Sequence, residues 1–283
     1  MSPLPMPVSK LWIALRDIER LHEAHGLIIE RGAATKAWHK DGSSIYTRSG
    51  LALLCASWEA FVEEVTDEAL RFLIANVSRP DQLPLELRKK VAKELKDDRH
   101  ELAVWKLADD GWRAVLHDRF QSILNSRLGL MNSPKSEKVR ILIEDVIGIS
   151  DVTAGWSWDG FSRETVVGWM DKFVTARGAI AHGKQPDIEI GCFGLMFFTE
   201  LVIECSYRTS NCIREFLYEK LNEEIWPELK TEIDWMRSKD MTKYLPALDH
   251  VMIFREPTMS AHYAVAVKDS EQAAPSNGDK PQN

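Results

Sequence analysis

The sequence predicts an all-α fold. Apolar residues recur at spacings of three and four along most of the chain, which is the pattern of amphipathic helices. The 283 residues are 45% hydrophobic and include ten tryptophans, enough for a sizeable core. No internal repeat and no glycine-rich phosphate loop is present, which argues against a Rossmann or P-loop nucleotide enzyme.

Prolines, glycines and capping residues divide the apolar pattern into separate helices. The predicted helices are 8–30, 45–75, 86–99, a short helix around 139–146, 162–182 and 188–221. The polar, glycine-bearing stretch 32–44 is predicted to be a loop. The helix 188–221 is apolar nearly all round in its first half, so it belongs in the centre of a bundle.

These elements suggest three regions. Residues 1–225 form a helical bundle, with a charged helical insertion at about 80–150 that begins where Pro80 and Pro84 break the second long helix. Residues 226–267 form a small C-terminal extension, with short strands predicted at 251–254 and 263–267. The polar residues 268–283 are predicted to be a disordered tail.

Composition limits the cellular setting. The four cysteines show no CxxC pair, which favours a reduced, cytoplasmic protein. Residues 1–7 lack the basic residues and the long apolar run of a signal peptide. The most apolar run, 188–203, carries Glu189 and Glu200 and is too short to predict a membrane span.

The net charge of −7 argues against indiscriminate nucleic-acid binding, so any RNA contact has to be local. The segment 111–140 is the best candidate, because its six cationic residues against two acidic ones give a net charge of +4. The candidate RNA-binding residues are Arg113, Arg119, Arg127, Lys135, Lys138 and Arg140. The alternative is an ordinary solvated helix face.

A metal site is weakly supported. His22 and His25 are three residues apart, but the HExxH zinc pattern would need a histidine where Gly26 stands. Solvated surface histidines are the better interpretation, and no metal or other cofactor is expected. A metal hydrolase using these two histidines stays open as a third possibility.

Arg177 lies in the middle of an apolar stripe on the helix 162–182. On a helical wheel, eight apolar residues fall within roughly 80° of it; they are Val166, Val167, Trp169, Met170, Phe173, Val174, Ile180 and Ala181. A guanidinium cannot be deprotonated there, so it needs a carboxylate partner, a water-filled groove or a ligand. An arginine paired with a buried carboxylate is the alternative to a functional role.

His182 lies at the end of the same helix, about 140° further round than Arg177. Gly183 can take the left-handed conformation that closes a helix, and Pro186 prevents continuation. Without a functional role, His182 would simply cap its own helix.

Arg177, four residues, then His182-Gly183 at a helix end resembles the Arg-x(4–6)-His signature of HEPN domains, an all-helical superfamily that includes many metal-independent RNases. A second stretch, Trp58-Glu59-Ala60-Phe61, resembles the early long helix of the RiboL-PSP-type HEPN proteins. The resemblance extends over residues 8–221.

This resemblance implies a HEPN-like bundle that dimerises with the two Arg-His motifs facing each other. It implies an endoribonuclease that forms 2′,3′-cyclic phosphates, with Arg177 and His182 catalytic, and a prokaryotic defence or toxin–antitoxin setting with a possible antitoxin partner. Glu59 and Lys184 are candidate supporting residues: Glu59 for Arg177, Lys184 for phosphate. Gly178 departs from the polar residue often found after the arginine. A non-catalytic HEPN-like RNA-binding or protein-interaction subunit is therefore the alternative.

Overall fold

The computed structural model describes residues 6–30, 36–127, 133–158, 160–183 and 192–230. Their helices are α1 (Met6–Glu30), α2 (Lys36–Asn76), α3 (Leu85–Lys96), α4 (Gly111–Arg127), α5 (Ser136–Val146), α6 (Arg163–Ala181) and α7 (Cys192–Leu221). Short 3-10 turns lie at Pro80–Gln82, Ala103–Leu107 and Val152–Gly155. Across these ranges the only β-type pairing is the isolated bridge between Trp158 and Phe161, so the all-α prediction is confirmed.

Helices α1 and α2 pack along each other, and Lys10 of α1 forms an ion pair of 2.9 Å with Glu64 of α2. The loop predicted at 32–44 is wrong for most of its length, because α2 begins at Lys36. Glycine and serine weaken a helix by only about 1 kcal/mol or less each. Packing of the long α2 against its neighbours can outweigh that local preference.

Helix α7 is the central helix predicted from its apolar surface. It packs against α1, α2 and α6, and every residue from Glu200 to Ser206 is buried. The approach to α2 is close at Gly50, where an added Cβ would lie 2.5 Å from Leu195 Cδ2. Because Gly50 has no side chain, α2 and α7 can approach each other closely at this point.

The limits of α6 agree with the sequence signals. Ser162 is the N-cap, and its Oγ accepts a hydrogen bond of 3.3 Å from the Thr165 backbone N–H. His182 is the C-cap, and Gly183 follows in the left-handed region at φ 67°. Within the predicted stripe, five side chains are buried: Val166, Trp169, Met170, Phe173 and Val174. Ala181, at the helix end, is exposed instead.

The first turn of α5 is fixed in the corner between α2 and α6. Just before α5, the Pro134 carbonyl accepts a 3.1 Å hydrogen bond from the buried Trp58 Nε1 of α2. Ser136 donates its backbone N–H and its Oγ–H to Asp171 Oδ1 of α6, both at 2.9 Å. These hydrogen bonds fix the positions of α2, α5 and α6 relative to one another, although the three helices are distant in sequence.

After α7 the chain folds back on that helix. Asn211 and the Leu229 backbone exchange two hydrogen bonds of 2.7 and 2.8 Å. Trp226 is buried and donates its Nε1–H to the Ser210 carbonyl at 3.2 Å. The strands predicted at 251–254 and 263–267 and the predicted tail 268–283 lie outside the described residues.

Trp58→Phe should lower the free energy of unfolding by about 2 kcal/mol, because it leaves the Pro134 carbonyl without its buried donor and shrinks a core ring. Trp12→Phe is the matched control. It also removes a 3.1 Å indole hydrogen bond, to Tyr207 Oη, but Trp12 is 37% exposed, so about 0.5 kcal/mol or less is expected. Urea unfolding measures the free energy of unfolding of both variants. Equal losses would contradict the stabilising role of the buried Trp58 hydrogen bond.

Candidate functional site

Arg177 lies partly buried on α6, so the core does not seal it. Its charge acts on two side chains of α2, since it lowers the pKa of both Glu59 and Cys55 against the opposing effect of burial. Burial dominates at Cys55 and raises the pKa of that thiol to about 12. Cys55 is therefore a neutral core residue, whereas Glu59 is a carboxylate within reach of the Arg177 charge.

Glu59 is half-buried between cationic groups from two other helices. Burial raises its pKa and Glu63 raises it further, whereas Arg177 of α6 and Lys138 of α5 lower it. The sequence predicted that either Glu59 or Glu63 could approach Arg177 if their two helices packed together, and α2 and α6 do pack. The site thus combines a carboxylate from α2 with one cation each from α5 and α6.

His182 is exposed at the end of α6. Its backbone N–H donates to the Gly178 carbonyl at 3.2 Å, which closes the helix and leaves the imidazole in contact with solvent. Five residues of α-helix place it about 7.5 Å along the axis from Arg177. The two motif residues therefore belong to one helix end but to different sides of it.

The face of α6 at Gly178 is open. A Cβ added there would have no atom of the described chain within 4 Å, and the same is true at Gly168. From the sequence, small residues here allow close approach either of a helix of the same chain or of a second subunit. In the described part of the chain, no helix uses the space at Gly178.

Three of the candidate RNA-binding arginines are held by acceptors of the chain itself. Arg113 donates to the Val77 carbonyl at 2.8 Å and also to the Ile74 carbonyl. Arg119 donates two hydrogen bonds to the Glu94 carboxylate, at 2.7 and 2.9 Å. Arg140 donates to the Glu137 carboxylate at 2.7 and 2.8 Å and to Glu144 at 2.6 Å. Arg113 and Arg119 thereby join α4 to the end of α2 and to α3, whereas the carboxylate contacts of Arg140 lie within α5.

The structure describes the side chains of only some of the remaining predicted site residues. Lys138 lies near Glu59, and Lys135 is the N-cap residue of α5. The side chain of Arg127 and all of Lys184 fall outside the described residues, as do the side chains of His22 and His25. Among the side chains that are described, no three potential metal ligands come together.

The fold defines an all-helical bundle that carries an arginine and a histidine on one helix beside a carboxylate. Comparison with protein families gives the identity at family level: the model of the RiboL-PSP-HEPN family matches residues 15–194, and the chain belongs to that family. Searches of curated proteins and of solved structures found no match. None of the helices in the described ranges is long and apolar enough to cross a membrane.

Sequence reasoning missed that Lys138 and Glu59 lie near each other. It assigned Lys138 to a basic surface with its neighbours in sequence, since charge counting follows the chain and not the fold. The Trp58–Pro134 hydrogen bond that brings α5 to α2 joins residues 76 positions apart, and no local pattern encodes it.

Glu63→Gln should raise the melting temperature at pH 7, with the gain disappearing below about pH 4. Burial and the neighbouring Glu64 raise the pKa of Glu63 above its ordinary value of 4.5, so the folded protein binds this proton more tightly than the unfolded chain does. Ionisation of Glu63 therefore costs stability as the pH rises, and glutamine removes that cost.

Glu137→Gln is the control, for which the opposite change in melting temperature is expected. The Arg140 side chain lowers the pKa of Glu137, so its contribution stabilises the fold at neutral pH and is lost as the pH falls. Thermal unfolding across this pH range should show the two variants diverging from wild type in opposite directions. A lower melting temperature for Glu63→Gln at pH 7 would contradict the account.

Proposed function

We propose that this protein is a metal-independent endoribonuclease of HEPN type that acts as a homodimer with a composite Arg177/His182 active site. The observation that carries the proposal is the setting of Arg177. It lies in the apolar stripe of α6, yet it is only partly buried, and an exposed histidine ends the same helix. Membership in the RiboL-PSP-HEPN family supports an RNA-related role.

In the proposed reaction, the RNA 2′-oxygen attacks the adjacent phosphorus. The O2′–P bond forms and the P–O5′ bond breaks, which gives a 2′,3′-cyclic phosphate and a 5′-hydroxyl. His182 takes the 2′-OH proton or delivers one to the leaving O5′, a role typically worth about 10²–10⁴-fold. Arg177 donates hydrogen bonds to the non-bridging oxygens, where negative charge accumulates.

Two subunits are proposed because Arg177 and His182 diverge by about 140° on their helix. One subunit does not direct both side chains at one phosphate, whereas two copies related by a two-fold axis can form a shared cleft. The open space at Gly178 supports this arrangement, since a second backbone can approach α6 there. Lys184, two residues beyond His182, is proposed as a further phosphate contact.

The proposed setting is a prokaryotic defence or toxin–antitoxin system in the cytoplasm, with an antitoxin as possible partner. This follows from the family resemblance alone. It would be supported if the neighbouring genes encoded a partner that blocks RNA cleavage.

The purified protein should cleave single-stranded or loop RNA in the presence of EDTA. His182→Ala should reduce the rate by about 10²-fold or more, and Arg177→Ala should reduce it through lost stabilisation of the phosphate charge. His117→Ala and Arg71→Ala are controls, because they remove the same residue types from α4 and from the exposed surface of α2. If wild type and the Arg177→Ala/His182→Ala variant gave the same low background on a broad RNA panel, the nuclease proposal would fail for those substrates.

The second candidate is a non-catalytic HEPN-like RNA-binding or protein-interaction subunit. Gly178 supplies no polar group beside Arg177, and the net charge of −7 suits a protein interaction better than an RNA one. In this case the Arg177→Ala/His182→Ala variant should lose dimerisation, while neither it nor wild type cleaves RNA. Sedimentation and the cleavage assay together distinguish the nuclease from the non-catalytic subunit. If the double variant stayed dimeric and lost only RNA cleavage, the non-catalytic subunit would be excluded.

A further inference from the structure

The connection between α3 and α4 presents apolar side chains to solvent. Trp105 is 71% exposed and Leu102 is 61% exposed, and Val104 between them is exposed as well. Single exposed apolar residues are ordinary on a protein surface. Here three of them occur within four residues, and one is a tryptophan. Residues 102–107, the Trp105 turn, are therefore the part of the insertion that most needs an explanation.

Hydrogen bonds fix the backbone of the Trp105 turn. The Trp105 N–H donates to the Leu102 carbonyl at 3.0 Å, and the Ala108 N–H donates to the Trp105 carbonyl at 3.1 Å. Side chains three residues apart in a 3-10 helix eclipse one another, so Leu102 and Trp105 project from the same side. Ala103 is fully buried and anchors the turn to the insertion. A backbone that is already fixed loses little conformational entropy when it binds a partner.

The two ends of the turn are fixed as well. Before it, Asp98 accepts the His100 backbone N–H at 2.9 Å and forms an ion pair of 3.7 Å with Lys106. After it, Gly111 begins α4 so close to the turn that an added Cβ would collide with the Lys106 carbonyl oxygen. The insertion thus displays Trp105 and Leu102 on an ordered backbone.

The charges around the turn are mainly acidic. Residues 97–110 contain five acidic residues against two basic ones, and acidic residues remain in the majority, six to four, when the last turn of α3 is included as 93–110. Such a border repels the phosphates of RNA and of anionic lipids. It attracts a surface that carries basic residues. These charges favour a basic protein as the occupant of the turn.

We propose that the Trp105 turn is a docking site for a partner protein, which covers Trp105 and Leu102 with an apolar pocket and borders that pocket with basic residues. Tryptophan is enriched among the few residues that dominate the energy of protein interfaces. Its side chain buries about 150–250 Å² when it is covered. The acidic border orients the partner and speeds its association. The inference does not rest on the nuclease proposal.

A photo-crosslinker at position 105 tests what covers the turn. The amino acid p-benzoylphenylalanine is substituted for Trp105 in the full chain, and the cells that naturally encode the chain are irradiated. The same substitution for Trp12, an exposed tryptophan of α1, is the matched control. We expect an adduct with a second protein at position 105 and none at position 12. The captured protein is then identified by mass spectrometry and purified.

Titration of that purified protein with the full chain tests the two parts of the proposal. Trp105→Ala should weaken binding roughly thirtyfold or more, as expected for a residue that dominates an interface. Glu101→Lys should weaken binding and reduce its dependence on salt, because it removes part of the acidic border. Trp12→Ala should leave the dissociation constant unchanged. If Trp105→Ala does not fold, Leu102→Ala replaces it, with a loss of about fivefold or more.

Every other occupant would overturn the inference. An adduct with a second copy of the chain, with another segment of the same chain, with RNA or with lipid would show that the turn serves a different contact. So would the absence of any adduct above the level at position 12. Binding that is unchanged in Trp105→Ala contradicts the docking site, and binding that is unchanged in Glu101→Lys contradicts the basic border of the partner.

The nuclease proposal has a separate outcome. RNA cleavage by the purified chain alone should be equal in wild type and Trp105→Ala. A loss of cleavage in Trp105→Ala would place the turn in RNA binding and overturn the docking inference. If wild type cleaves no RNA, the nuclease proposal fails, while a captured partner that depends on Trp105 and Glu101 still supports the docking site.

Discussion

An arginine in the apolar stripe of a helix has to keep its charge, and this requirement governs the arrangement around α6. Arg177 cannot be neutralised by losing a proton, so the fold must supply a counter-charge or access to solvent. It supplies both. Glu59 of α2 lies within the reach of that charge, and Arg177 remains only partly buried. A sealed arginine would have indicated a purely structural ion pair.

The other helices of the bundle fix the positions of α6 and α2, which carry Arg177 and Glu59. Helix α7 fills the centre, and the apolar face of α6 packs against it, as the contact of Trp169 with Phe197 at 4.9 Å between ring centroids illustrates. The segment after α7 folds back through Trp226 and Asn211, which stabilises α7 in turn. Rigid helices on three sides hold charged groups in place better than loops do.

The insertion predicted at about 80–150 is part of this arrangement. It contains α5, and the first turn of α5 is bound to α2 through Trp58 and to α6 through Asp171. Arg113 and Arg119 of α4 join that helix to the end of α2, to α3 and to the Asp145 carbonyl of α5. The insertion therefore carries a cation to the site and fixes the distance between two core helices.

The parts of the fold that local chemistry determines could be predicted from the sequence. Ser162, Gly183 and the apolar periodicity set the limits of α6 correctly, because caps and periodicity act within a few residues. The start of α2 could not be predicted, since its first turns are polar and contain a glycine, which locally disfavours a helix, and α2 nevertheless begins at Lys36. The partners of Arg113, Arg119 and Lys138 depend on long-range contacts, and a count of charges along the chain cannot distinguish a phosphate surface from an internal network.

In the proposed site, Arg177 lies near Glu59 at a position that an RNA phosphate can enter. A crystal structure of the His182→Ala protein with an RNA whose 2′-hydroxyls are methylated tests it most directly, because that strand cannot cleave itself. The account predicts a phosphate oxygen within hydrogen-bond distance of the Arg177 guanidinium, with position 182 of one subunit facing the same phosphate. RNA bound elsewhere, with Arg177 still engaged only by its own chain, would contradict it.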